Sequence, residues 1–429
     1  MADFLVEKRL EWNRWVSPKP LATKPVHRWY IFPHSFTSEL VHELISQWSL
    51  GPKDHILDPF AGAGTTLLAA REKGIPATGY DLSPLAVLAA RVKVANYRLS
   101  KIRGAWKKLQ PALDPRKWSG PSREYPDLVR LALPGKLLGA FDAISRRIAA
   151  LSCSSAEKEF FQVAMLRSLP KYSRATATGG WLKWVHKQTS ARSLPSTLSR
   201  LIEAMIGDIE MSELPRRARW RAKQADARKL PDRASTYTAV ITSPPYPNRH
   251  DYTRVFGVEL MFAFLDWEET RKLRHQSFHS HPEAYPIRPK ARGYRKPRSL
   301  ARAVARIRKM TNEPRIPRML DGFFLDMYLC LREVTRVCKP GAKVAFVVGN
   351  AQYCGQEILV DELTAQIGEK VGLKCDGLLV ARYRGNSAQQ MGEYGRTPSR
   401  ESVVLFHKPR LHKRGNQRTR KARRQVGTR

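Results

Sequence analysis

Two short stretches of this 429-residue chain carry residue types whose spacing could do chemistry. Thr242-Ser243-Pro244-Pro245-Tyr246 closes the apolar run Ala239-Val240-Ile241 and opens the polar loop Pro247-Asn248-Arg249-His250-Asp251-Tyr252. A β-branched run that stops at two prolines reads as a buried strand ending in a rigid turn, because proline fixes φ and donates no ladder hydrogen bond. A hydroxyl, free backbone carbonyls and an aromatic face would then be held at a sheet edge. That set suits a planar ring bearing an amino group. Such an amine is a poor nucleophile while its lone pair is delocalised; acceptors on its two N–H bonds would draw it towards tetrahedral geometry and free the pair for attack.

The second stretch is Asp58-Pro59-Phe60-Ala61-Gly62-Ala63-Gly64-Thr65-Thr66. His55–Phe60 reads as a strand, Leu67–Lys73 as a helix ended by Gly74, Ala77–Asp81 as a second strand, and Pro84–Asn96 as a second helix. Strand, glycine-rich turn and helix make the first half of a βαβ unit. In such a turn the glycines let backbone approach a ligand, the helix N-terminus favours negative charge, and a carboxylate on the second strand, here Asp81, can accept ribose hydroxyls. A G-x-x-x-x-G-K-[ST] phosphate loop is absent from the sequence, which argues against triphosphate hydrolysis.

Other elements must position these turns. An amphipathic helix is expected over Thr37–Trp48, and Glu259–Trp267 is apolar and helical. Late in the chain come a helix at Phe323–Val337, the turn Lys339-Pro340-Gly341, a strand at Lys343–Asn350, a helix at Leu359–Val371 and strands at Leu378–Tyr383 and Glu401–Phe406. Residues 98–215 show helical spacing punctuated by prolines and do not read as strands. Within them Tyr172–Trp184 interleaves basic, hydroxyl and aromatic residues, which suits phosphate contact and base stacking as well as it suits an ordinary surface loop. A basic helix is expected just before Gln224–Pro231, itself a short strand and turn.

Charge narrows the partner. With 76 Lys+Arg against 38 Asp+Glu the formal net charge is +38, a field that attracts polyanions, and nucleic acid is the commonest of these. The excess is concentrated: Pro286–Arg318 holds twelve basic residues against Glu313 alone, and the tail from Lys408 holds ten with no acid. The five cysteines form no CxxC pair and no zinc-finger spacing, so a reduced compartment and no structural metal are expected. No window approaches the roughly 18 apolar residues of a membrane span, and the N-terminus lacks an apolar signal core; a cytoplasmic protein without membrane contact is the expectation.

Together the two stretches resemble the signatures of the DNA amino-methyltransferases, S-adenosylmethionine-dependent enzymes that methylate the exocyclic amine of cytosine or adenine. The resemblance implies a Rossmann-like class I methyltransferase fold, α/β with a mixed seven-stranded sheet flanked by helices and a mainly helical insertion. It covers about residues 27–97, 224–267 and 323–407. It divides the chain into an N-terminal segment with the cofactor-binding half of the core (1–97), a helical insertion that could recognise the target (98–215), the catalytic part of the core (216–267), a basic insertion for nucleic-acid contact (268–320), the C-terminal part of the core (321–407) and a basic disordered tail (408–429).

Carried over by position, the resemblance implies that Asp58, Phe60, Gly62, Gly64 and Thr65 line the methionine end of S-adenosylmethionine, that Asp81 meets its ribose, and that Asp226 sits near its adenine amine. Phe32–Phe36 falls where the family has a cofactor-flanking segment. Ser243, Pro244, Pro245 and Tyr246 would form the catalytic turn, in the serine form associated mainly with the cytosine N4 branch. The implied reaction is direct in-line transfer to a flipped cytosine in DNA, with a possible cognate restriction endonuclease as partner. Adenine N6 methylation, an RNA substrate and an inactive nucleic-acid-binding descendant stay open. Methylation at cytosine C5 needs a thiolate, and none of the five cysteines follows a proline or sits at a recognisable turn. His250 and Asp251 are candidates for taking the released proton, or for bonding within their loop. Asn350, Arg384, Asn386, Gln389, Gln390 and Arg396 are candidates for base or phosphate contact, or for ordinary turn chemistry.

Overall fold

Short apolar runs buried on both faces build a central sheet, the pattern of parallel strands covered by helices on each side. The computed structural model describes residues 4–186, 190–385, 395 and 398–410. Its main-sheet strands, numbered along the chain, are β1 (Val6–Lys8), β2 (Ile56–Asp58), β3 (Ala77–Asp81), β4 (Trp220–Gln224), β5 (Tyr237–Thr242), β6 (Cys338–Gly349), β7 (Lys374–Arg384) and β8 (Ser399–His407). They lie in the order β1-β7-β8-β6-β5-β2-β3-β4. β8 runs antiparallel to both its neighbours, and every other pairing in this sheet is parallel.

Seven of these strands make the mixed seven-stranded sheet that the resemblance implies. β1 is an eighth, unexpected strand: Val6 pairs with Leu378 at the far edge of the sheet. Its three residues show no apolar alternation, and its main-chain pairing leaves no trace in residue type. At the opposite edge, Trp220–Gln224 corrects the expected basic helix to a strand, β4. Only Ala222 of its five residues is buried; charged side chains are a usual guard on an exposed edge, and here they imitate a helical charge run.

The sheet reverses direction of travel at β2. The chain leaves it for β3 and β4 on one side, and β5 arrives on the other. The crevice beyond the carboxyl ends of such strands is where open α/β sheets bind ligands. Helix α1 (Ser38–Gln47), α2 (Thr65–Glu72) and α3 (Pro84–Val94) support this region. Glu72 of α2 accepts from His27 Nε2 at 3.2 Å and lies 2.9 Å from His42 Nε2, and these partners hold its carboxyl down at about 2 although burial opposes them.

The insertion is mainly helical: Leu99–Leu109, Asp127–Ala132, Lys136–Ala149, Ser155–Tyr172 and Leu194–Met211. It also holds a two-stranded hairpin, Ala175–Thr178 with Trp181–Trp184, where no strand was expected. Asp208 on its last helix latches it to the N-terminal segment, accepting from Val26 N at 3.0 Å, Trp29 Nε1 at 2.9 Å and both Nε and Nη2 of Arg28. The basic insertion contains helices Trp267–Gln276 and Arg298–Met310. The following long helix starts at Arg315 rather than Phe323, and Cys338, directly after it, opens β6. Among the described residues no helix is long and apolar enough to cross a membrane.

One glycine of the second stretch has a packing role. Gly64 caps α2 in the left-handed region (φ 81°), and a Cβ there would stand 2.7 Å from Ala90 Cα on α3. Gly64→Ala is therefore expected to cost about 1–3 kcal/mol, the usual penalty of overpacking a tight core contact, read as a lower urea midpoint by circular dichroism. An unchanged midpoint would show that the turn can open away from α3.

Candidate active site at the carboxyl ends of the central strands

The two chemistry-bearing turns meet because β2 and β5 are neighbours, Ile56 pairing with Ala239 and Leu57 with Val240. Asp58 ends one strand and Thr242 the other. Thr242 Oγ1 donates to Asp58 Oδ1 at 2.6 Å, the same oxygen that accepts Phe60 N at 3.1 Å. Thr66 Oγ1 adds a bond to Ile241 O at 3.3 Å. Burial raises the Asp58 carboxyl to about 6; the hydroxyls of Thr242 and Thr66 pull it back.

A cavity opens over these strand ends. Among its lining residues are Phe32 to Phe36, Asp58, Phe60, Gly62, Thr65, Asp81, Asp226, Ser243 and Pro245. Gly64, Pro244 and Tyr246 are not part of that lining. Asp81 accepts Gly62 N at 3.0 Å on one oxygen and Ser83 N at 2.9 Å on the other, and burial raises its carboxyl. Asp226 sits in the turn after β4 and is clasped in two-pronged fashion by Arg228, with Nε to Oδ1 at 2.9 Å and Nη2 to Oδ2 at 2.8 Å. Arg228 is itself buried and reaches Asp326 on the long helix at 3.2 Å.

Sequence reasoning missed the aromatic walls. Phe256 stacks on Phe32 with ring centres 4.5 Å apart, and Phe278 meets Phe60 edge-on at 5.5 Å. Tyr252, Phe256 and Phe278 all line the cavity. They lie 171 or more positions after Asp81, in segments whose apolar residues look like ordinary helix faces, so no local signal marks them.

The donor set suits S-adenosylmethionine: two carboxylates with free lone pairs at the ends of adjacent strands, aromatic walls, and a glycine, Gly62, that holds the turn in the left-handed region at φ 48°. The fold and this cavity suit an S-adenosylmethionine-dependent methyltransferase. Residues 8–91 match the family model described as DNA methylase, of the N6/N4 type. The chain is 28% identical over 460 residues to the Type II methyltransferase M.BsoBI of Geobacillus stearothermophilus, covering 94% of this chain and 90% of that one. It is 28% identical over 428 residues to the Type II methyltransferase M.AvaI of Anabaena variabilis, covering 90% and 87%. A shorter match, 38% over 82 residues, covers 19% of this chain and 15% of the Type II methyltransferase M.MjaII of Methanocaldococcus jannaschii. Over its cofactor-binding half, and more distantly along most of its length, the chain is similar to amino-methyltransferases of the N4/N6 family.

At the second turn, Ser243 Oγ donates to Val347 O on β6 at 3.0 Å, so its lone pairs stay available as acceptors. Tyr246 is buried; its hydroxyl donates to Glu401 Oε1 at 2.6 Å, and the Arg384 guanidinium lies 5.5 Å from its ring centre. Gly349 makes room for that ring, since a Cβ there would stand 2.8 Å from Tyr246 Cε2.

His250 is held neutral, lowered to about 4 first by burial and then by His34. Asp251 caps the next short helix through Thr253 N at 2.9 Å and lies 2.9 Å from Arg274 Nε. Asn350 accepts Asp361 N at 3.3 Å at the start of Val360–Lys370, a helix-end role. Asn386, Gln389, Gln390 and Arg396 lie outside the described residues. Cys330 and Cys338 are buried, which raises both thiols, Cys338 to about 12, far from thiolate chemistry at neutral pH.

Asp58 makes a pH test possible. Its folded carboxyl near 6, against 3.8 for an ordinary one, contributes stability that is present below about 3.8 and lost as pH rises through about 6. Asp58→Asn keeps an acceptor for Thr242 and should remove that fall. Unfolding midpoints of the two proteins should therefore diverge between about pH 4 and pH 7; parallel curves would mean that Asp58 titrates normally.

Proposed function

We propose that this chain is a Type II modification enzyme that methylates the N4 amine of cytosine at a specific site in DNA. The observation that carries the reading is Ser243: a hydroxyl at the lip of the cofactor cavity whose proton is committed to Val347 O. Its lone pairs, with a backbone carbonyl of the Ser243–Pro245 turn, would accept the two N–H bonds of a target amine and raise the nucleophilicity of its nitrogen. Pro244 and Pro245 keep competing N–H donors out of the turn. Bound S-adenosylmethionine supplies an electrophilic methyl.

The remaining roles follow the same geometry. Asp81 would hold the ribose hydroxyls, Asp226 the adenine amine, and Asp58, Phe60, Gly62 and Thr65 the methionine end, while Gly64 keeps the turn against α3. Tyr246 would offer its ring face to the flipped base. Arg384, a planar cation beside that ring, would move aside as the base enters. His250, neutral at physiological pH, would not compete with the target for charge.

The +38 balance and the basic 268–320 segment support a duplex partner, since phosphate neutralisation by Lys and Arg carries most non-specific affinity. A cytoplasmic setting beside an endonuclease of matching specificity fits a modification enzyme.

Labelled S-adenosylmethionine with separate DNA and RNA pools, followed by nucleoside analysis, tests polymer and base together. N4-methylcytosine from DNA is expected; N6-methyladenine or an RNA product would replace the reading. Ser243→Ala should lower turnover by about 10²-fold or more, in line with the loss of a positioned polar group at a reacting centre, with cofactor affinity near normal by calorimetry. Unchanged turnover would remove Ser243 from the catalytic set.

Lys408 Nζ donates to Thr335 O at 2.7 Å and to Cys338 O at 2.8 Å, so a tail deletion should begin after Arg410. Removing 411–429, with eight basic residues, should flatten the salt dependence of DNA binding. An unaltered slope would show that the tail makes no phosphate contact.

A further inference from the structure

The hairpin of the helical insertion touches the catalytic loop. Its strands join through Gly179-Gly180, Thr178 pairing with Trp181. Gly179 takes φ 57°, and a Cβ on Gly180 would stand 2.8 Å from Arg249 O and 3.0 Å from His250 Cα. The hairpin tip is thus seated on the backbone that follows Tyr246, at a contact that only glycine permits.

The tip presents an indole. Trp181 is 56% exposed, large for a tryptophan in a folded chain, and the guanidinium of Arg254 lies 4.2 Å from its ring centre on one side. Arg254 is fixed from below by Asp251 at 3.4 Å and Glu283 at 3.2 Å, and it belongs to the short helix that also brings Tyr252 and Thr253 to the cavity wall. One face of the indole is therefore backed by a held cation, and the exposure belongs to the rest. Leu182 packs towards Gly257, anchoring the strand behind the tip. Lys183 on the same strand and Arg249, whose backbone meets Gly180, are exposed, and neither forms an ion pair among the described residues.

An exposed indole held by a cation on one side leaves its other face free to stack on a planar partner. A flat aromatic ring backed by a guanidinium, with exposed cations on its own strand and on the adjoining loop, suits a nucleobase stacked on the ring, with its phosphates on the cations. We infer that Trp181 stacks on a base of the DNA duplex beside the target and holds open the gap that the target leaves. This rests on the proposed base-flipping reaction and deepens it, by assigning the element that makes extrusion affordable. The Gly180 contact then ties the wedge to the loop that receives the base, so opening of the duplex and assembly of the catalytic turn occur at one rigid junction.

Two measurements test this. Bromouracil-substituted duplex DNA, irradiated with the wild-type protein, should cross-link to the tryptic peptide 175–183, which lies between Arg174 and Lys183 and contains Trp181 as its sole aromatic residue. Adducts confined to other peptides would overturn the inference. In kinetics, Trp181→Ala should methylate a duplex carrying the mapped target about 10-fold more slowly, the scale of one lost base stack. It should recover most of that rate when the target base faces an abasic position, because extrusion then needs less help. Trp181→Phe, which keeps an aromatic face, should lie near wild type. Equal losses on both duplexes, or none, would also overturn the inference. Failure of the proposed function reads differently: the wild-type protein would then yield N6-methyladenine, an RNA product or no methyl on DNA, while the cross-link would still report where a base stacks.

Discussion

The bond from Thr242 Oγ1 to Asp58 Oδ1 joins the ends of two strands that are 184 residues apart in the chain. Everything the site can do depends on that closure. It places the hydroxyl of Ser243 next to the turn that carries Phe60 and Gly62. It also holds a carboxylate in a dry environment, at the cost of a raised proton affinity. A carboxyl that is expensive to ionise is retained because it accepts from both sides of the junction, from Thr242 and from Phe60 N.

From that junction the rest of the molecule is arranged in widening supports. Arg228 braces the cavity floor between Asp226 and Asp326, so the basic segment and its long helix are coupled to the cofactor side. Glu401 on β8 fixes Tyr246 and also accepts Arg382 Nε at 2.6 Å, linking the antiparallel hairpin at one end of the sheet to the Ser243–Tyr246 turn. Asp208 ties the insertion back to the segment that precedes α1. In each case a buried carboxylate receives several donors, the arrangement that lets an ionised group persist away from water.

Legibility in the sequence followed how local the cause was. Asp58–Thr66 and Thr242–Tyr246 were readable because proline and glycine impose backbone geometry on their own, and the strand, turn and helix around them are short-range. The class of fold followed from those two stretches and the late strands. What escaped was set by distance or by the edge of the sheet. β1 pairs through main chain alone; β4 hides its period of two under Arg221 and Lys223; Tyr252, Phe256 and Phe278 become cavity walls only through tertiary packing. The hairpin at Ala175–Trp184 lies in the stretch whose interleaved basic, hydroxyl and aromatic residues read as contact surface or loop, because its strands are too short and too exposed to show a buried face. Gly64 was read with the cofactor residues, and its place against Ala90 could not be seen without α3 in position.

The neighbouring placement of β2 and β5 also sets an order of events as the chain is made. β2 can pair with β3 early, but its other edge must wait until residue 242 has left the ribosome, with the whole insertion synthesised in between. Parallel pairings of this sequence separation form slowly, because loop closure precedes any gain from contact. The insertion, built largely from helices with local contacts, can fold meanwhile and shorten the effective span between the two strands. A segment that sits on the loop after Tyr246 in the finished protein thus doubles as a spacer during folding, bringing the ends of a long loop within reach of each other.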